Sequence, residues 1–439
     1  MSEINYNTKG LVNEKPRSYF GKWWSDFVGI FVDELHHICG DGGALLIFLV
    51  AGLVYPLLYH VLYLNGILEE TPIAIVDNAA CSESRSFIRA LDSTREVSVA
   101  YKCVNMDEAR RLMAGRKVHG IVMFPADYGE KMARRETATL SVYCDMSSFL
   151  YYKNCLLSAN MVMLKEMARI QIDYYMSDGL TEIEAKALVQ ALPYEENNPY
   201  NAASSYSFFL LTTVLFVILQ QTMFYGMSLL VGTMREENRS FASLSDKFQG
   251  RGLVRIVLGR GAVYWFLYMI IGIYVSIIVP AIFGMPQRGD FWNIILLLLF
   301  FVTDCVFFSM TWSTLINKRE TVFVLFLFIS PFCLLLAGTC WPVFAFPKFW
   351  KLFSYIFPTT FGCQAYVNMS GIGGDLATAS TQFLGLTAQT TIYFFLACAA
   401  VFVENHLLKN RSKIELRIQK WHARIGYDKA KDRRIITGQ

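Results

Sequence analysis

Six separated apolar runs constrain this chain more than anything else in it. They are Ala44–Tyr63, Phe208–Val231, Ala262–Phe283, Phe291–Trp312, Val322–Gly338 and Phe383–Val403. As helices they have the length needed to cross roughly 30 Å of hydrocarbon. Composition points the same way, with 54% hydrophobic and 17% charged residues over 439 positions, far from the balance of an average soluble protein. The fold class that follows is an α-helical polytopic membrane protein with six transmembrane helices.

Charge sets the expected topology. Lys9, Lys15, Arg17 and Lys22 precede the first run, and Lys318-Arg319 lie between the fourth and fifth. Arg235, Arg239, Lys247, Arg251, Arg255 and Arg260 follow the second run, and residues 405–439 hold 10 basic against 3 acidic residues. Basic residues favour the cytoplasmic side, so both termini are expected there. Before the first run, Phe20, Trp23, Trp24, Phe27, Phe31, Leu35 and Ile38 recur at steps of three and four. That spacing predicts an amphipathic helix lying in the membrane interface, with Lys22, Ser25, Asp26, Asp33 and Glu34 off the apolar stripe. Gly40-Asp41-Gly42-Gly43 then breaks it.

The expected division is 1–43, a cytoplasmic segment with the interfacial helix, then 44–64, the first transmembrane helix. Residues 65–205 form an inserted α/β extracytoplasmic domain. A five-helix transmembrane region, 206–404, contains a charged cytoplasmic segment at 234–248 and an aromatic outer-leaflet segment at 339–382, followed by a basic cytoplasmic tail, 405–439. In the insert, strands are predicted at 72–76, 97–103, 120–124 and 137–144, with helices at 84–91, 106–113, 149–176 and 181–192. Cys81, Cys103, Cys144 and Cys155 fall there; disulfides and free thiols both fit an oxidising compartment.

The chain has no G-x-x-x-x-G-K-[ST], no G-x-G-x-x-G, no H-E-x-x-H, no G-x-S-x-G and no Cys/His metal spacing. It is therefore not expected to be an enzyme or to hold a metal. The basic tail is explained by topology without nucleic acid.

Three stretches carry a family resemblance. Pro72-Ile-Ala-Ile-Val-Asp77, Ser82-Glu-Ser-Arg85 and Gly120-Ile-Val-Met-Phe-Pro125 open the insert. Arg235-Glu236 follows the second run, and Gly259-Arg260 precedes the third. Ala337-Gly-Thr-Cys-Trp-Pro342, Pro347 and Ser354-Tyr-Ile-Phe-Pro-Thr359 come before the last. In this order they resemble the permease subunit of an ABC-2 type exporter, in the bacterial subgroup with a large extracytoplasmic domain between the first two spans. Where the family continues into Gly-Thr, this chain has Ser240-Phe241. The resemblance implies a bacterial inner-membrane exporter subunit without cofactors of its own, with ATP and Mg on a separate ATPase subunit. Its implied partners are that ATPase, a second permease copy or paralogue, a periplasmic adaptor and membrane lipid. Coupling to the ATPase would fall to Arg235, Glu236 and Glu237 in the 234–248 segment and to Asp33 and Glu34 on the N-terminal helix.

Within the runs, Asp304, Gln220 and Gln221 are candidate residues of a translocation path. A carboxylate at the centre of a membrane helix costs on the order of 2.5–3.5 kcal/mol by insertion scales. Asp304 is therefore expected to face a lumen, to hydrogen-bond a neighbour such as Thr303 or Thr311, or to be protonated. His60 reads as a satisfied core histidine. Two other readings remain at this point: a membrane-anchored sensor or assembly factor whose insert binds a ligand, and a motor-independent transporter. The first needs no six-helix bundle, and the second would fit better with an internal repeat, which the sequence lacks.

Overall fold

The computed structural model describes residues 19–189, 205–237, 252–404 and 406. These fall into two compact units, one formed by Asn65–Ser205 and one by the chain on either side of it. Most of the 234–248 segment and nearly all of the 405–439 tail lie outside the described residues.

The first unit begins with α1 (Tyr19–Gly40), which packs along the start of the third long helix. Of its fully buried residues, Ile38 belongs to the apolar stripe and Asp26, Ile30 and Glu34 do not. Asp26, Ile30, Glu34 and Ile38 point inward, while Trp24, Val28, Val32 and Leu35 are exposed. The reason is charge neutralisation, because each inward carboxylate meets an arginine of the third helix. Close approach is allowed by Gly259, where a Cβ would come within 2.9 Å of the Ile30 side chain.

Among the described residues, six helices of this unit are long and apolar enough to cross a membrane: Gly42–Leu62, Tyr206–Glu236, Leu253–Ile282, Phe291–Ser313, Arg319–Leu336 and Ser380–Glu404. They confirm the polytopic helical class. The second span is central. Its whole apolar window is buried, against 17% for the fifth span, so the fifth presents most of its surface outward. The third span starts well before the expected Ala262, at Leu253. Arg255 and Arg260 interrupt the apolar run, but as paired residues they sit within its first turns. The first and third spans each contain a π-helical turn, Leu46–Ala51 and Tyr274–Ile278. Between the fifth and sixth spans run two short helices, Lys348–Ser354 and Pro358–Tyr366. The latter is buried among the spans, whereas Phe344, Phe349 and Leu352 are strongly exposed.

The second unit is an α/β fold. Strands β1 (Thr71–Asp77), β2 (Val97–Cys103), β3 (Gly120–Phe124) and β4 (Ser141–Cys144) form one sheet in the order β2-β1-β3-β4. β1 is parallel to both neighbours, and β4 closes the edge antiparallel to β3. Helices α2 (Ser82–Asp92) and α3 (Met106–Ala114) make the crossovers that parallel pairing demands. Successive strand residues alternate faces. Ile73, Ile75, Val122 and Phe124 pack with Phe87 and Leu91 on one side, and Ala74, Val76 and Ile121 pack with Ala109 on the other. Among the described residues the unit has three further helices: α4 (Tyr128–Ala133), α5 (Phe149–Ser177) and α6 (Glu182–Val189). Cys81, Cys103, Cys144 and Cys155 are all free thiols.

Candidate functional site: an ionic belt across the helix ends

Odd-numbered spans begin, and even-numbered spans end, at a common layer where the unit's charges meet. Asp41 stands one residue before the first span, and its Oδ1 accepts the Gly43 and Ala44 N–H groups at 2.9 and 3.1 Å, capping that helix. Arg319, which opens the fifth span, donates from both terminal nitrogens to the two Asp41 oxygens at 3.1 Å each. The Thr233 hydroxyl, near the end of the second span, donates to Asp41 Oδ2 at 3.0 Å. Burial pushes the Asp41 carboxyl up, but the Ala44 N–H, Thr233, Arg319 and Gly43 together hold it below its usual value. A Cβ at Gly43 would collide with the Arg319 guanidinium, so a side chain there would displace that group from Asp41.

The expected ATPase-coupling residues lie in the same layer. Arg235 donates to the Ile316 carbonyl at 2.5 Å and to Asn317 Oδ1 at 3.0 Å, just past the fourth span. Its other nitrogen pairs with Glu404 Oε1 at 3.3 Å, at the end of the sixth. Glu236 Oε1 accepts the Arg319 N–H at 2.8 Å, satisfying one of the donors a helix start leaves unpaired. Glu237 is exposed. Asn238 onward lies outside the described residues.

On α1, Asp26 pairs with Arg255 at 2.6 Å, both side chains largely buried. Glu34 Oε2 lies 3.3 Å from Arg260 Nε with each side chain 1% exposed, and Glu34 Oε1 accepts the Tyr264 hydroxyl at 2.5 Å. Glu34 thus faces the third span rather than the surface, and Asp33 beside it is partly exposed. A buried pair of this kind adds little net stability, but losing one partner leaves a bare charge in a low-dielectric interior. The belt therefore ties α1 to the spans at points that are costly to break singly.

Sequence reasoning missed Asp26, Asp41, Thr233, Arg255, Tyr264 and Glu404 as belt members. Asp41 carried a usable signal, an aspartate placed immediately before an apolar helical run. Thr233 and Tyr264 carried none, because their partners are remote in sequence.

Deeper in the bundle, the two glutamines both point into protein, as expected of a central helix. Gln220 Oε1 accepts the Thr359 N–H at 2.8 Å and caps the buried short helix, while its Nε2 reaches Cys333 Sγ at 3.7 Å. Gln221 is buried as well, and neither side-chain atom of its amide has a hydrogen bond among the described residues. Asp304 is wholly buried, and neither carboxylate oxygen has a hydrogen bond among the described residues. The expected neighbours do not supply one. Thr303 donates to the Leu299 carbonyl and accepts from Trp265 Nε1, and Thr311 donates to the Phe307 carbonyl. Helical threonines bond back to the preceding turn and are spent there. His60 is buried on Phe283, its Nδ1 2.7 Å from the Pro56 carbonyl.

Six helices able to cross a membrane, cinched at one end, with an α/β insert after the first, mark a multi-pass membrane protein. The family model described as ABC-2 family transporter protein matches residues 43–399, and the chain belongs to that family. The match begins after α1, so the role of α1 rests on its contacts alone. No curated protein matches the chain.

Proposed function

We propose that the chain is the permease subunit of an ATP-driven exporter that moves its substrate outward across the bacterial inner membrane. A separate ABC ATPase subunit supplies the ATP chemistry, with Mg, and this chain catalyses nothing itself. The observation that carries the reading is the belt, because α1 and the end of the second span are bonded directly to the starts or ends of the other spans. A push on α1 reaches the third span through Glu34 and Arg260, and a push beyond Glu236 reaches the fifth through Arg319. The exposed apolar faces of the fifth span and of Lys348–Ser354 suit lipid and a second permease copy. The insert lies outside the cytoplasm, where it can meet a periplasmic adaptor. Asp304, Gln220 and Gln221 mark the path, with the Asp304 carboxylate and the Gln221 amide left for substrate or water to satisfy.

The test is co-purification of the detergent-extracted chain with the ABC ATPase encoded beside it, followed by ATP turnover and uptake into inside-out vesicles. ATP-dependent accumulation inside such vesicles is expected. Absence of both complex and turnover would favour a sensor or assembly factor.

A further inference from the structure

The insert holds a cleft of about 500 Å³ between the extended stretch 136–140 and α5, within the size range of small-molecule sites. Phe87 and Tyr128, 2% and 7% exposed, are among its aromatic lining, and Met132, Met163 and Met167 supply thioethers. Such polarizable groups adapt to varied apolar shapes, and aromatic faces attract cations.

The polar groups show which charge belongs there. Glu166 Oε2 accepts the Ser86 hydroxyl at 3.1 Å and the Arg169 Nη2 at 2.8 Å. Among the described residues no hydrogen bond reaches its Oε1. Arg135, the cation among the lining residues, is already committed, with its nitrogens 2.7 and 2.9 Å from the two Asp178 oxygens and its guanidinium 4.9 Å above the Tyr174 ring. Glu166 is itself paired with Arg169, but through Oε2 alone, and Glu136 adds a second carboxylate to the lining, so an anion in the cleft would meet an excess of negative charge, and a neutral apolar body would desolvate Glu166 Oε1 without replacing its water.

We propose that this cleft binds an organic cation with a bulky apolar body, its charge placed against Glu166. The site lies wholly within the insert, and its occupancy requires neither ATPase nor transport, so it stands or falls separately from the exporter reading.

The test uses the full chain in neutral detergent with tetraphenylphosphonium and tetraphenylborate, near-isosteric ions of opposite charge, by equilibrium dialysis against a protein-free micelle blank. Wild type should prefer the cation by about tenfold or more, a difference of roughly 1.4 kcal/mol. Glu166→Gln, which keeps an acceptor for Ser86, should lower cation affinity about tenfold and abolish the preference. Met167→Trp, at a half-exposed position, should fill the cleft and weaken the cation similarly. If Glu166→Gln fails to fold, Met167→Trp and Met163→Trp decide. Equal binding of the two ions by wild type, or unchanged cation affinity in the cleft-filling variants, overturns the proposal.

Discussion

The Glu236 carboxylate accepts the Arg319 N–H at 2.8 Å, so the last turn of the second span caps the first turn of the fifth. Reversing Glu236 therefore disturbs the fold as well as any outside contact. Glu236→Arg should cost about 1–3 kcal/mol through the lost cap and repulsion from Arg319. Glu237, exposed in the same turn, is the second probe. Glu237→Arg should weaken ATPase co-elution, more so at low salt, and the thermal midpoint measured beside it separates a lost outside contact from a destabilised fold. Unaltered co-elution at every salt concentration would remove Glu237 from the contact.

The buried pair on α1 predicts a non-additive cycle. Glu34→Gln or Arg260→Met alone should destabilise by about 3–5 kcal/mol, while Glu34→Leu combined with Arg260→Met should restore most of it. Tyr264→Phe should cost about 1–2 kcal/mol. Unfolding midpoints in detergent check the stabilities. If the pair transmits motion, the restored double variant should still show at least tenfold lower ATP-driven transport, and wild-type transport in it would assign the pair to stability alone.

Asp304 gives the opposite pattern. A wholly buried carboxylate with no hydrogen bond among the described residues gains little from its charge, so Asp304→Asn and Asp304→Leu should fold at least as stably as wild type. Transport should fall about tenfold or more in Asp304→Leu and less in Asp304→Asn. Full transport by Asp304→Leu would exclude it from the path.

Topology is read by labelling in a cysteine-free background. Val104→Cys, at a position 85% exposed in the insert, should react with a membrane-impermeant thiol reagent on cells with a permeabilised outer membrane. Ser412→Cys should not. The reverse pattern would invert the orientation.

Acid should weaken the insert at a particular place. His119 Nδ1 lies 2.9 Å from Asp145 Oδ2, and its ring stacks on Tyr151 at 3.7 Å. The hydrogen bond from His119, aided by those from Ser147, holds the Asp145 carboxyl down at about 2, against an ordinary 3.8. Because the folded value is the lower one, the stabilisation is complete above about pH 4 and is lost as pH falls towards 2. Wild type should thus be more stable than Asp145→Asn at pH 6, with the gap closing by about pH 2. A gap independent of pH would mean the carboxylate charge contributes nothing.

Much of this was legible in the sequence, for reasons of scale. Runs of apolar residues as long as a bilayer is thick have one reading, and the insert's strands ended where Asp77, Cys103 and Phe124 end them. The helix Tyr128–Ala133 escaped because six residues hold under two turns of periodicity. β4 is expected from Thr137 but starts at Ser141, where its pairing with Met123 of β3 begins. On α1 the stripe of apolar residues did not disclose the protein-facing side, because a count of apolar positions cannot see that Asp26 and Glu34 have arginines waiting on another helix. Of the three alternatives for Asp304, the threonine hydrogen bond is the one not made, for the converse reason. Thr303 and Thr311 were near in sequence, but helical geometry turned their hydroxyls to their own backbone.

Asp41 and its partner Arg319 are separated by 278 positions. At about 5–20 residues per second, the ribosome needs roughly a quarter of a minute to a minute to deliver the arginine after the aspartate has emerged. During that interval the first span is in the bilayer with its carboxylate unmatched, and the whole insert is synthesised and sent to its own side. Arg235 waits likewise for Glu404. Closure at this layer is therefore among the final acts of biogenesis, and a chain truncated before the sixth span should reach the membrane yet present open charges to quality-control proteases.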